Sequence, residues 1–222
     1  MGKNAGLIMR KEGEYMVSGS FFSRLNGTRK AVAVLLAAGM IFTGCAGGGN
    51  EEESAVALQK DGKVKALIVE SFDKANYDKD ELQQRILREA SDYNAQSGQT
   101  AISVEKVAVS EGKVRVEMTY EDAAAYASFN GGTFFIGSVQ KAGEDGYDLN
   151  RVLSSVKDDL ETVGKSDIAN MTDMRLLITD MREPVTLNGK AAYISANVTV
   201  DKKGKTVFFN EDSEELAYIL FK

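Results

Sequence analysis

Apolar and polar residues alternate strictly between positions 113 and 120. The apolar set comprises Val114, Val116, Met118 and Tyr120, and the polar set comprises Arg115, Glu117 and Thr119. Because successive side chains of a strand point to opposite faces, this pattern predicts a strand with one buried and one solvent-exposed face. Residues 101–109 predict a preceding strand, and the intervening Ser110-Glu111-Gly112 favours a tight turn. The two segments therefore predict a β-hairpin.

Residues 64–72 (VKALIVESF) predict a strand that leads into a helix beginning after Asp78. The Asp78 carboxylate can cap this helix, and Glu81 can reach back to complete a variant of the capping box. Apolar residues then recur at helical spacing and predict one buried stripe, formed by Leu82, Ile86, Ala90 and Tyr93. Gly98 can adopt the left-handed conformation that ends a helix, so the helix is expected to end near residues 96–98.

A second, shorter helix is expected over residues 121–129, with Thr119 as its cap and Asn130-Gly131-Gly132 as its end. Residues 133–137 (TFFIG) predict the next strand. The resulting order of strand, helix, strand, strand, helix, strand is that of the ferredoxin-like split βαβ arrangement. A helix of roughly nine residues spans only about 14 Å, which is short for a crossover.

Apolar residues between positions 149 and 163 fit helical spacing. They are Leu149, Val152, Leu153, Val156, Leu160 and Val163. This spacing predicts a helix that ends at Gly164, although residues 151–156 could instead pair as a strand.

The last fifty residues predict a β-meander. The expected strands are residues 175–179, 185–187, 191–200, 205–209 and 216–221. Asn188-Gly189 is the strongest hairpin signal in the chain, and Lys203-Gly204 supplies a second turn. Pro184 is expected at a strand start, where its missing N–H is harmless.

These elements predict an α+β protein, with an N-terminal β-α-β-β-α-β unit followed by a C-terminal β-meander. Residues 56–222 are long enough for one good hydrophobic core and are expected to form a single body. The alternative is two small subdomains, residues 56–142 and residues 143–222.

An export signal is predicted at the N-terminus. Residues 31–42 (AVAVLLAAGMIF) are uncharged and follow Arg29-Lys30. The run is far below the roughly 20 residues that a spanning helix needs, but it suits a signal peptide. It ends in Phe42-Thr43-Gly44-Cys45, and Cys45 is the only cysteine of the chain. This arrangement resembles the lipobox of bacterial lipoprotein precursors, which implies removal of residues 1–44 and lipidation of Cys45.

Other interpretations of the N-terminus are an ordinary secretory signal cleaved near Cys45, or an uncleaved anchor. An ordinary signal would leave a lone thiol in a compartment where disulfides form. About 30 residues precede the apolar run, so Met16 is an alternative translation start. Met1-Gly2 resembles a myristoylation signal, but Gly6 stands where that motif requires Ser or Thr.

Residues 45–55 combine glycines with three consecutive glutamates, a composition typical of a flexible tether. Residues 45–222 carry 21 basic and 31 acidic side chains, so their net charge is about −10. Phosphate backbones and anionic headgroups would repel such a body, which argues against nucleic-acid binding. The lipid on Cys45 is therefore the expected attachment to the extracytoplasmic face of the cell membrane. The whole layout resembles small lipoproteins common in Gram-positive anaerobes, a resemblance that implies no particular activity.

Histidine is absent from the chain, which removes His-dependent triads and zinc sites of the His type. Ser154 and Lys157 form an S-x-x-K motif, but its companion motifs of penicillin-binding proteins are missing. Gly164-Lys165-Ser166 and Gly204-Lys205-Thr206 lack the earlier glycine of a phosphate-binding loop and are interpreted as turns.

Acidic and amide residues cluster at the entrance to the first helix: Asp73, Asn76, Asp78, Asp80 and Glu81. They could supply oxygen ligands to Ca²⁺, but the EF-hand spacing is absent, and acidic residues at a helix N-terminus are explained by capping. Adjacent phenylalanines, as in Phe134-Phe135, point one ring to each face of a strand, so both faces are covered or one ring is a contact site.

The sequence thus predicts a membrane-anchored, non-enzymatic lipoprotein that binds an envelope protein or a ligand, without a cofactor, a metal or catalytic residues. One alternative is an extracytoplasmic hydrolase, which would require a pair of carboxylates in a cleft with one member desolvated. Another is the solute-binding lipoprotein of a transporter.

Overall fold

The computed structural model describes residues 53–73, 77–158, 160–210 and 212–222. The predicted signal peptide, Cys45 and residues 45–52 of the tether lie outside them. The helices are α1 (Lys79–Ser97), α2 (Ala123–Asn130), α3 (Val139–Glu144) and α4 (Lys165–Asn170). The strands of the first half are β1 (Ala55–Leu58), β2 (Val64–Ser71), β3 (Ile102–Ser110), β4 (Lys113–Tyr120) and β5 (Phe134–Ser138).

The second half contributes eight further strands. They are β6 (Leu153–Ser155), β7 (Thr162–Val163), β8 (Arg175–Thr179), β9 (Val185–Thr186), β10 (Ala191–Ile194), β11 (Val198–Val200), β12 (Thr206–Phe209) and β13 (Ala217–Phe221). One sheet has the order β11-β12-β9-β1-β2-β4-β3, and the other has the order β5-β8-β13-β10-β6-β7. Each sheet takes strands from both halves of the chain. Only the β1–β9 pair is parallel among the pairs of the described residues. The α+β class and the C-terminal run of strands are therefore confirmed.

The main core lies against one face of each sheet. It combines Val64 and Val116 of the seven-stranded sheet with Leu177 and Ile219 of the six-stranded sheet, and Ile86 of α1 packs with them. A second core covers the opposite face of the six-stranded sheet. Its members include Val139, Ile168, Leu176, Ile178 and Leu220. Because both faces of β8 and β13 are buried, these strands are continuous apolar runs without alternation.

Helix α1 begins and ends where the sequence predicts. The Asp78 carboxylate accepts hydrogen bonds from the backbone N–H groups of Asp80 and Glu81 at 2.8 and 2.9 Å. Gly98 has a φ of 70°, the left-handed conformation that closes a helix. Ile86 is fully buried and its neighbour Leu87 is 46% exposed, so the predicted stripe faces the core.

The N-terminal unit follows the ferredoxin-like order for its first three strands. β4 lies between β2 and β3 and is antiparallel to both, with α1 connecting β2 to β3. The fourth strand departs from that order, since β5 pairs with β8 in the other sheet and β1 occupies the edge of β2. The full ferredoxin-like sheet is therefore not formed.

The prediction that Thr119 caps the second helix is wrong. Thr119 lies within β4, paired with Lys65, and the helix begins two residues later than expected, at Ala123. Asp122 is the cap, because its carboxylate accepts from the N–H of Ala125 at 2.7 Å. The predicted end is confirmed by the left-handed φ of 72° at Gly131.

The helix predicted over residues 149–163 is also wrong, and the strand alternative holds for its centre. β6 and β7 pair there as a short hairpin, with Leu153 opposite Val163. Val152 is 68% exposed and Leu160 is 94% exposed, whereas Leu153 is 1% exposed. The apolar residues therefore do not share a face, and pairing of β6 with β10 determines the local structure.

Of the two turns predicted in the C-terminal region, one closes a hairpin and the other does not. Gly204, with a φ of 71°, lies in the turn between β11 and β12, as predicted. Asn188-Gly189 does not close a hairpin, because β9 and β10 belong to different sheets. Pro184 directly precedes β9 and its carbonyl accepts from the N–H of Val56 at 2.8 Å.

Among the helices of the described residues, none combines the length and the apolar character required to cross a bilayer.

Candidate functional site

A polar cleft of about 380 Å³ opens where the chain passes between the two sheets. Residues 195–197 connect β10 of one sheet to β11 of the other, and the segment after β12 returns the chain to β13. A third segment, just before β6, completes the wall. The lining residues are Asn150, Arg151, Val152, Ser195, Ala196, Asn197, Asn210, Ser213, Glu215, Leu216 and Tyr218.

Side-chain hydrogen bonds fix the floor of the cleft. The Ser195 hydroxyl donates to Oδ1 of Asn197 at 2.6 Å and accepts from the N–H of Tyr218 at 2.9 Å. Nδ2 of Asn197 donates to the carbonyl of Glu215 at 3.0 Å and lies 3.4 Å from the hydroxyl of Ser213. This network ties the β10–β11 connection to the segment that leads into β13.

Arg182 also stabilises the segment that leads into β13. Its Nη2 donates to the carbonyl of Ser213 and, at 3.1 Å, to the carbonyl of Glu215. Hydrogen bonds from a charged donor are among the stronger ones in proteins. The backbone positions of Ser213 and Glu215 are therefore fixed by contacts within the protein.

Arg151 is the basic residue of the cleft lining. Its guanidinium lies over the ring of Tyr218, 5.4 Å from the ring centre. Its Nε is 3.8 Å from Oδ2 of Asp148, and its Nη1 is 4.0 Å from Oε2 of Glu215. Both distances exceed hydrogen-bonding range, and the buried Nε has no hydrogen-bond partner among the described residues. Arg151 is thus held over Tyr218 and between two carboxylates.

Tyr218 provides a rigid surface beneath Arg151. It is 2% exposed, and burial raises the pKa of its hydroxyl while the nearby Arg151 acts in the opposite direction. The Tyr218 side chain is therefore neutral at physiological pH, and its ring face can form a cation–π interaction with Arg151.

The lining of the cleft is polar and carries charges of both signs. Amides, hydroxyls and charges of both signs line it, which suits a polar ligand. The Ser195 hydroxyl donates to an amide oxygen, a group that cannot act as a general base.

A second, much smaller cavity of about 30 Å³ contains a pair of carboxylates. Glu70 and Glu183 line it together with Tyr120, Tyr126 and Asn130. Burial raises the pKa of Glu70, and the charge of Glu183 adds to this effect. The pair meets the requirement stated above for a carboxylate-dependent hydrolase only in part, because Glu70 is exposed near the end of β2. The space, however, holds about one water molecule and no substrate.

The S-x-x-K residues are not arranged as a catalytic pair on a helix. Ser154 lies in β6, and Lys157 is exposed in the following bend. The neighbouring Ser155 accepts from the N–H of Lys157 at 3.3 Å, a contact typical of a turn.

The acidic residues before α1 act as predicted for capping, through Asp78. Asn76 lies outside the described residues. Within the described ranges, no three acidic, His or Cys side chains are grouped closely enough to hold a metal ion.

The phenylalanine pair lies across the six-stranded sheet. Phe134 is buried in the main core, and Phe135 packs against the second core beside Tyr147, with ring centres 5.0 Å apart. Both faces of β5 are therefore covered, and neither ring forms the contact site that was the alternative.

Sequence reasoning missed the residues of the cleft. Asn150, Ser195 and Asn197 belong to no motif, because the site is assembled from three separate segments, residues 150–152, 195–197 and 210–218. The only local signal is the polar break within residues 191–200, which interrupts the single strand expected there. The chain matches no protein-family model, no curated protein and no solved structure.

Proposed function

We propose that this chain is an extracytoplasmic lipoprotein, attached to the cell membrane through lipid on Cys45, whose body binds a small polar ligand in the cleft at Arg151. The cleft is the observation that carries the proposal. It has the volume of a small-molecule site, and its polar groups are oriented by hydrogen bonds within the protein.

The lipobox-like sequence supports the membrane attachment. Each methylene of an acyl chain contributes about 0.8 kcal/mol when it is buried in a bilayer, so two or three chains hold durably. The acidic body would not adhere to anionic headgroups by charge. The lipid then supplies the attachment, and the tether holds the cleft away from the surface.

The second candidate is a carboxylate-dependent hydrolase, favoured by the Glu70–Glu183 pair. Its cavity would need to open by far more than one water volume to admit a substrate. The larger cleft needs no such opening, which is why binding is the preferred function.

Metabolic labelling with a fatty-acid analogue tests the attachment. The wild-type chain should incorporate the label and the Cys45→Ala variant should not. Cys45→Ser is the matched control, since it keeps the size of the side chain but cannot form the thioether. Label retained on either variant would refute lipidation at Cys45.

Ligand binding is tested by calorimetric titration with a panel of probes: neutral sugars, inorganic phosphate, dicarboxylates, diamines and dipeptides. At least one class should bind saturably to the wild type, and Ala196→Trp, which fills the cleft, should abolish that binding. Ala124→Trp is the control, because Ala124 is exposed on α2 and does not line the cleft. Binding that survives Ala196→Trp, or no binding by any class, contradicts the proposal. Chemical conversion of the bound probe would favour an enzyme.

A further inference from the structure

Positively and negatively charged side chains lie close together at the cleft. The guanidinium of Arg151 stands between the carboxylates of Asp148 and Glu215, at 3.8 and 4.0 Å. The carboxylates are largely exposed, with side-chain exposures of 64% and 76%, whereas that of Arg151 is 37%. The acidic groups are therefore hydrated, although the Asp148 carboxylate also accepts from the N–H of Asn150 at 2.9 Å, and the cation is held against Tyr218.

A ligand with a single sign of charge fits this arrangement poorly. An anion that pairs with Arg151 meets the charges of Asp148 and Glu215, and a cation that pairs with Glu215 meets Arg151. Like charges at such distances oppose binding. A ligand that carries one carboxylate and one ammonium group satisfies both partners at once.

We propose that the ligand of the cleft is a small zwitterion of the amino-acid or dipeptide class, with its carboxylate on Arg151 and its ammonium group on Glu215. The inference rests on the proposed binding function and specifies its ligand. Arg151 can receive a carboxylate through its two Nη groups, because its Nε is buried within the protein.

The neutral residues of the lining suit the rest of such a molecule. Asn150 and Asn210 supply amide donors and acceptors for a peptide group, and Leu216 and Val152 supply apolar surface for a side chain. A volume of about 380 Å³ lies at the small end of the range for ligand pockets. It therefore favours a ligand of one or two residues over a longer peptide.

Calorimetric titration of the full-length protein in detergent, with dialanine as the probe, tests the inference. N-acetyl-dialanine lacks the ammonium group and dialanine amide lacks the carboxylate. Both should bind at least about tenfold more weakly than dialanine, since each loses a charge-assisted contact. This comparison uses only the wild-type protein, so the folding of a variant cannot affect it. Equal binding of all three, or absence of dialanine binding, would overturn the inference.

Two pairs of variants assign the charges. Arg151→Gln should weaken dialanine binding about tenfold or more, and Arg88→Gln, on the exposed face of α1, should leave it unchanged. Glu215→Gln should weaken dialanine but not N-acetyl-dialanine. Glu214→Gln, at the exposed neighbouring position, is its control. If Glu215→Gln weakens both probes equally, the ammonium assignment is wrong.

The outcomes separate this inference from the function on which it rests. Binding of a neutral sugar or of phosphate that Ala196→Trp abolishes, without binding of dialanine, keeps the cleft as a ligand site and refutes the zwitterion. The absence of binding by every class refutes both.

Discussion

Gly189 lies directly against the backbone of Lys222, so close that a Cβ atom at position 189 would stand 2.0 Å from the carbonyl oxygen of Lys222. The adjacent Lys190 exchanges two backbone hydrogen bonds with Lys222, at 2.6 and 3.0 Å. The segment before β10 is thereby joined to the end of β13, the central strand that supplies Tyr218 to the cleft.

Substitution of Gly189 by alanine should therefore destabilise the protein. The added methyl group must displace backbone atoms, which costs about 1–3 kcal/mol of the free energy of unfolding. Urea denaturation followed by circular dichroism measures the change. Gly143→Ala, within α3, is the control. The added Cβ would make only an ordinary van der Waals contact, with Leu149 at 3.6 Å. That variant should be neutral or up to about 1 kcal/mol more stable. Equal effects at the two positions would contradict the prediction.

Glu111 is the only non-glycine residue with a positive φ among the described residues, at 53°. Together with Gly112, at 69°, it forms the tight turn between β3 and β4, where two positive φ angles match the type I′ geometry. Glu111→Asn should stabilise the protein by about 0.5–1 kcal/mol, since asparagine tolerates this conformation better. Thermal unfolding measures the gain. Glu111→Ala removes the charge but retains the unfavourable conformation, so a comparable gain in that variant would show that charge is responsible.

The raised pKa of Glu70 predicts a specific pH dependence of stability. Burial raises this pKa first and the charge of Glu183 raises it further, so the folded state binds the proton more tightly than the unfolded state. The resulting stabilisation is present below the ordinary glutamate pKa and is lost as pH rises through the higher folded-state pKa. Glu70→Gln should therefore gain stability relative to the wild type between about pH 4 and pH 7. The gain should be small, because Glu70 retains contact with solvent. Melting temperatures across this range measure it, and a difference that does not vary with pH would refute the assignment.

Local signals in the chain predicted β2, α1, β3 and β4 with errors of one residue or less. Their determinants lie within each segment: a carboxylate cap at Asp78, a left-handed glycine at Gly98 and strict alternation in β4. The prediction was wrong where partners far along the chain decide the structure. Val152 and Leu160 fit a helical stripe, but pairing of β6 with β10 places them in solvent. Asn188-Gly189 has the composition of a hairpin turn, but the next strand joins the other sheet.

The sequence by itself determined the α+β class and the acidic composition of the body, because composition and periodicity carry those properties locally. Lipid attachment at Cys45 stays a prediction from a short motif. Only the tertiary structure decided the division of strands between two sheets and, with it, the cleft. The cleft takes its lining from three separate segments of the chain, which supply Arg151, Asn197 and Glu215. They meet because two crossings between the sheets bring their segments together, and no local pattern encodes which distant strand pairs with which.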